Sequence, residues 1–264
     1  MQKLLNECLT RITETKPENA FDFYINAHRC GVLTEANFKA LSRMDTDVTR
    51  DFCFGQDRVD LTLAEDTEVI SLRLREIALR LDKAGLLTKW RNEDLDVFDL
   101  DSNLFVARVE RALFRFFGMK TQAVYAVGTS SDGRFWSGQR ALTKPIDPGL
   151  WDTLAAGLIA AAETPATSLF RELEEEAGLT ESDIVLDKET AQFCVTRVVS
   201  EGWMHEVAFV YPCTVKDDAR VHNVDGEVSR FALFSQDELL EKIRMNMTPA
   251  DTAVAFLKTI ELKN

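Results

Sequence analysis

The spacing of apolar residues changes along this chain, and each change marks an element. Residues 67–87, TEVISLRLREIALRLDKAGLL, place Ile70, Leu74, Ile77 and Leu81 at intervals of four, three and four. That spacing gathers them on one helical face, and Gly85 is a natural stop beyond it. Residues 1 to about 45 read as helical, punctuated by Pro17 and Gly31, with Thr34 capping TEANFKALSRMD. FCFGQDRVDLT (52–62) alternates as a strand or hairpin, and EDLDVFDLD (93–101) as a strand. LFVARVERALFRFFGM (104–119) reads as a helix laid against another layer. Near residue 120 the period shortens to two. TQAVYAVGTSSDGRFWSGQRA is strand, turn, strand, with Asp132-Gly133 as the hairpin signal. TAQFCVTRVVS, MHEVAFVYPCTV and VSRFALFS follow as strands, the last entering the helix QDELLEKI, and PADTAVAFLKTIEL closes the chain as a helix. The pattern predicts an α/β protein. Residues 119–264 form an α/β/α sandwich with a mixed sheet, preceded by a smaller α+β domain over residues 1–118.

Composition narrows the function classes. The formal net charge is −13 over 264 residues, which argues against broad binding to nucleic acid or anionic lipid. A small basic pocket for a phosphorylated metabolite stays compatible with it. Cys8, Cys30, Cys53, Cys194 and Cys213 are scattered without any C-x-x-C pair, so reduced thiols in the cytoplasm are expected. No apolar stretch approaches the roughly 18 residues of a membrane helix. The pattern is silent on oligomeric state.

Candidate chemistry is concentrated in residues 157–179, GLIAAAETPATSLFRELEEEAGL. On a helix Glu172, Glu175 and Glu176 fall at i, i+3 and i+4, where like charges repel. A divalent cation between them relieves that repulsion, and an oxygen-only donor set favours Mg²⁺ or Mn²⁺. Ala166, Leu169, Phe170, Leu173 and Ala177 form a neighbouring apolar face, and Glu174 falls off the acidic cluster. The spacing of Gly157, Glu163, Arg171, Glu172, Leu173, Glu175, Glu176, Gly178 and Leu179 matches G-x5-E-x7-R-E-U-x-E-E-x-G-U at every fixed position, U being aliphatic. The sequence therefore resembles the Nudix hydrolases. That resemblance implies hydrolysis of a diphosphate bond in a small organic substrate. It also implies metal ligation by Gly157, through its carbonyl, and by Glu172, Glu175 and Glu176, with Arg171 pairing to Glu163. The general base is either a box glutamate or an outside acid, with Glu206 and Glu227 as the external candidates. Arg140 and Lys144, just before the box, are candidates for substrate phosphate. Trp136, Trp151 and Trp203 are candidates for stacking on a heterocycle.

The N-terminal half, with LRLDKAGLLTKWRNEDLDVF and VERALFRFFGM ahead of the box, resembles one Nudix subgroup whose N-terminal domain also occurs fused to eukaryotic thiamine pyrophosphokinases. Arg140, Lys144, Pro148, Gly149 and Asp152 match its pre-box loop. The subgroup implies oxidised thiamine diphosphate as substrate, cleaved to the monophosphate and phosphate. Two departures bear on the substrate: Leu158 replaces the second glycine before the box, and Gln122 or a neighbour replaces a histidine usual on the first strand. A nucleoside-diphosphate-linked substrate and a non-catalytic ligand-sensing module are the alternatives. Isomerase chemistry on the same fold would need metal-binding histidines, and His28, His205 and His222 are widely separated.

Overall fold

The computed structural model describes residues 1–263. Helix α1 (Gln2–Ile12) is followed by the hairpin of β1 (Phe21–Ile25) and β2 (His28–Leu33). Here the helix expected over residues 1–45 gives way to strands. Phe23 and Ile25 alternate inward along β1, and Asn26 turns the chain at φ 54°, a left-handed conformation that asparagine tolerates. Helix α2 (Glu35–Ser42) starts where Thr34 Oγ1 accepts from the Asn37 N–H at 3.3 Å. The short α3 (Thr46–Thr49) leads to β3 (Phe52–Phe54) and β4 (Arg58–Leu61), an antiparallel pair as the alternation predicts. The sheet runs β2-β1-β4-β3, with β1 and β4 parallel.

Helix α4 (Thr67–Lys83) buries Ile70, Leu74, Ile77 and Leu81, and Gly85 follows at φ 71°. Its core partners include Phe23, Val59, Phe114 and Phe117. Strand β5 (Asp94–Phe98) pairs antiparallel with β6 (Phe105–Glu110), and the chain then coils as α5 (Ala112–Phe117). The single helix expected over 104–119 is therefore a strand and a short helix. Val106 and Val109 are β-branched and pair well on a pleated surface. The left-handed Gly118, at φ 59°, stops α5.

The largest sheet holds β7 (Lys120–Thr129), β8 (Phe135–Arg140), β9 (Trp151–Asp152), β10 (Ala155–Leu158), β11 (Ile184–Leu186), β12 (Ala191–Val199), β13 (Gly202–Val215) and β14 (Val228–Phe234). Its centre is the parallel pair β7 and β13, and the remaining neighbours are antiparallel, so the sheet is mixed. Side chains alternate across β7 and divide two cores. Val124 and Ala126 face helix α6 (Pro165–Ala177). Ala123, Tyr125 and Val127 face α7 (Gln236–Arg244) and α8 (Ala250–Leu262). This is the expected α/β/α layering.

Helix α1 packs across the boundary expected at residue 118, while the other N-terminal elements keep a buried core of their own. Leu5, Cys8 and Ile12 of α1 lie in one core with Phe256, Leu257 and Ile260 of α8. The rest of the N-terminal half meets the large sheet through close backbone contact. A Cβ on Gly202 of β13 would lie 2.3 Å from the Arg115 carbonyl oxygen. Asn37 Nδ2 donates to the carbonyls of Phe116 and Glu201, both at 2.8 Å.

Candidate active site

Helix α6 is defined at both ends by its sequence. Thr164 Oγ1 accepts from the Thr167 N–H and Thr167 Oγ1 accepts from the Thr164 N–H, with Pro165 following in the first turn. Gly178 ends the helix at φ 66°, where a side chain would strike His222. Leu169, Leu173 and Ala177 anchor one face on the sheet. The opposite side carries Glu172 and Glu175, while Glu174 projects into solvent.

Arg171 fixes this helix to the loop before it. Its Nε and Nη2 donate to the two carboxylate oxygens of Glu163, at 2.9 and 3.1 Å. Nη2 also donates to the Leu158 carbonyl at 3.0 Å, and Nη1 to Glu172 Oε1 at 2.7 Å and Glu175 Oε2 at 3.0 Å. Glu163 in turn accepts from the Ser168 hydroxyl and, at 3.3 Å, from the Ala160 N–H. One guanidinium thus joins β10, the loop and the acidic face, as a planar five-donor fork can.

Gly157 is needed for space. A Cβ there would lie 1.9 Å from Glu172 Oε1. Burial pushes the Glu172 carboxyl up, Arg171 pulls it down, and Glu175 and Glu93 add to the upward push. Glu176 is more enclosed, at 8% exposure. Burial raises its pKa to about 8, against the pull of the Ala156 N–H at 3.0 Å and of Lys144, with Asp152 and Glu172 pushing further. Lys144 Nζ lies 3.7 Å from Glu176 Oε1 and forms an ion pair with Glu227. Carboxylate oxygens of Glu176, Asp225 and Glu227 come within 4.8 Å of one another. This donor set, which holds Glu176 but neither Glu172 nor Glu175, fits a hard divalent cation. It is all oxygen, it includes a buried carboxylate whose ionisation costs energy without a cation, and a lysine already approaches two of its members.

These groups open onto a cleft of about 600 Å³ whose lining includes Glu172, Glu175, Arg171, Arg140, Lys144, Glu206 and Glu227. A groove of about 710 Å³ beside α4 has only α4, β5 and β6 residues and the Glu65–Asp66 turn around it, away from the box. The cleft brings the sequence candidates together in different states. Arg140 is spent on structure: Nη1 donates to Asp152 at 2.7 Å, and Nε and Nη2 donate to the Ile146 carbonyl. Glu206, 5% exposed, accepts from Arg115 Nη2 at 3.0 Å and from the Thr121 hydroxyl at 2.9 Å. Trp203 is a correction. Alternation along β13 sends Met204 and Glu206 toward the cleft and turns Trp203 away, to pack with Ala20 and Val32. Trp136 and Trp151 do not line the cleft either, and its aromatic is Tyr125. Sequence reasoning named Asp152 only as part of the pre-box loop and missed Asp251; Asp152 accepts from Arg140 and Thr252, and Asp251 from the Tyr125 hydroxyl at 3.2 Å. It missed Arg197 as well, whose Nε is buried without a hydrogen-bond partner among the described residues. Only the pairing of strands and the start of α8 bring these residues to the cleft.

The model of the NUDIX domain matches residues 119–254. The chain belongs to the NUDIX family. This NUDIX chain is 28% identical over 222 residues to Nudix hydrolase 24, chloroplastic, of Arabidopsis thaliana, covering 78% of the chain and 58% of that protein. It is 30% identical over 169 residues to Nudix hydrolase 20, chloroplastic, of the same plant, covering 62% of the chain and 45% of that protein. The chain thus spans about half the length of these curated relatives. A C. elegans Ap4A hydrolase binary complex superposes with a TM-score of 0.42 at 15% identity, covering 54% of this chain and 98% of that one.

Proposed function

We propose that this NUDIX protein hydrolyses a diphosphate bond in a small organic diphosphate, with Mg²⁺ or Mn²⁺ bound by Glu172, Glu175, Glu176 and the Gly157 carbonyl. The observation that carries this reading is the acidic face of α6, locked by the Arg171–Glu163 fork at the wall of the cleft. When bound, the metal offsets phosphate charge and makes an attacking water more acidic. Water adds to one phosphorus, the bond from that phosphorus to the bridging oxygen breaks, and the products are a monophosphate and phosphate. Glu175 is the residue we assign to take the water's proton. It is half exposed and, among the described residues, is paired with Arg171 alone, whereas Glu206 is committed to Arg115 and Thr121 and Glu227 to Lys144. Lys144 offsets acid charge and is the residue we assign to meet a phosphate oxygen, while Arg140 braces the pre-box loop.

For the organic group, the leading reading is an oxidised thiamine diphosphate. It is supported by the N-terminal resemblance and by a cleft where Tyr125 stands with Asp152, Glu206 and Asp251. Asp152 and Glu206 are already paired with Arg140 and Arg115, so the Tyr125 ring and Asp251 are what the cleft offers a donor-bearing heterocycle. The decisive experiment is phosphate release over a panel of diphosphates with and without Mg²⁺. Oxothiamine diphosphate should exceed nucleoside triphosphates, and a clear preference for ADP-ribose or a dinucleoside polyphosphate would reject the thiamine assignment while keeping hydrolysis. The approach of Lys144 to Glu176 and Glu227 favours a second reading, in which an internal cation leaves a site that binds without hydrolysing. Binding by calorimetry with no turnover over the same panel would establish it. We place the protein in a reducing compartment, the cytoplasm being the first choice, because its five cysteines are free. No helix among the described residues is long and apolar enough to cross a membrane.

A further inference from the structure

One wall of the cleft comes from outside the matched domain. Arg91, Glu93, Arg111 and Arg115 line it together with Glu172 and Glu175. In a chain of net charge −13 this wall sets three guanidiniums against one carboxylate. Glu93 lies near enough to Glu172 for their charges to interact, so the wall confronts the acidic face of α6. Arg111 is paired with Glu93, and Arg115 with Glu206 at 3.0 Å. The Arg91 guanidinium has no ion-pair or hydrogen-bond partner among the described residues.

The wall is held in place by a buried acid. Glu110 is 1% exposed. Its Oε1 accepts from the N–H groups of Arg91 at 2.9 Å and Ala112 at 3.4 Å, and its Oε2 from that of Glu93 at 3.2 Å. Burying a carboxylate is costly, and apolar packing would secure a strand end at less cost. What this carboxylate adds is orientation of the segments that carry Arg91, Glu93 and Arg111. The wall is also tied to the box loop. The Ala161 N–H donates to the Asp94 carbonyl at 2.9 Å and the Ala162 N–H to Asp96 Oδ2 at 3.0 Å.

We propose that residues 91–115 form a second phosphate-contacting wall, with Arg91 and Arg111 touching the substrate and Glu110 as the positioning residue. The proposal rests on the diphosphate-hydrolase reading and narrows its substrate class. A free terminal phosphate offers three oxygens and up to two charges to two guanidiniums. The wall therefore favours substrates ending in a free phosphate over those capped at both ends.

The test uses the full chain, calorimetry with inorganic pyrophosphate at fixed Mg²⁺, and steady-state kinetics. Arg91→Ala is the primary variant, because Arg111→Ala also unpairs Glu93. Each should weaken pyrophosphate binding about tenfold, with partial recovery in Arg91→Lys. Arg43→Ala, on the exposed end of α2 away from the cleft, should bind as the parent does. Glu110→Gln should raise KM while kcat stays within about twofold. If that variant does not fold, the arginine variants carry the test. Parent-like binding in both Arg91→Ala and Arg111→Ala overturns the proposal, as does an equal loss in Arg43→Ala. So does a fall in kcat with unchanged KM in a folded Glu110→Gln protein. Pyrophosphate binding that depends on Arg91, in a chain that turns over no diphosphate, upholds the wall and removes the hydrolase reading.

Discussion

Gly157 and Glu172 occupy a space that admits no further atom, since a Cβ at 157 would fall inside the carboxylate. Gly157→Ala should therefore displace Glu172 and cut turnover while the overall fold persists, as activity beside a circular dichroism melt would show. Glu175→Gln should lower kcat by about 100-fold or more, and Glu174→Gln, one position away in solvent, should leave it unchanged. Equal activity in both would remove the role assigned to Glu175. Glu176 gives a pH signature in chelator-treated protein. Its folded pKa, about 8, is raised above the usual carboxylate value. Its contribution to stability is thus fully present below about 4.5. It is lost as pH rises toward 8. Denaturant midpoints at pH 5 and pH 8.5 should differ in the parent and differ less in Glu176→Gln. Divalent cation should close the gap from the alkaline side, because binding needs the ionised form.

Legibility from sequence differed element by element, for identifiable reasons. Helix α4 was readable because Ile70, Leu74, Ile77 and Leu81 keep one face over several turns. Helix α6 was readable because each of its functional positions lies within one continuous motif. β6 and α5 were not separable, since FVARVERALFRFF is apolar by either period and only the pairing of Val109 with Leu95 selects a strand. The β1–β2 hairpin was missed because its turn rests on a lone left-handed Asn26 rather than a two-residue glycine signal. The far side of the cleft was hidden because Arg91, Tyr125, Arg197 and Asp251 belong to separate elements, and no local spacing relates them. The turn between β5 and β6 carries its own prediction. Burial opposes ionisation of Asp99, but the N–H groups of Ser102 and Asp101 and the His28 ring outweigh it and hold its pKa at about 2. That pKa is depressed, so the contribution is present above the unfolded value and lost as pH falls toward 2. Asp99→Asn should cost about 1–2 kcal/mol at pH 6 by urea denaturation. The deficit should shrink by pH 2.5.

At the scale of the whole molecule, helices α1 and α8, far apart in the chain, share one core. Removing residues 1–12 strips Leu5 and Ile12 from α8, a loss of about 3–6 kcal/mol by apolar burial alone. Thermal denaturation should show a large drop in midpoint, with the exposed face of α8 driving aggregation. An unchanged midpoint would show that α1 is dispensable to that core. This closure also imposes an order of events during synthesis. The ribosome delivers residues 2–12 well before their partners at 250–262. Until then α1 has no α8 surface to cover, while β1–β4 and α4 already have all their neighbours. The nascent chain therefore carries α1 without its α8 partner through the synthesis of every element between them, and it is the emergence of α8 that covers the face they share.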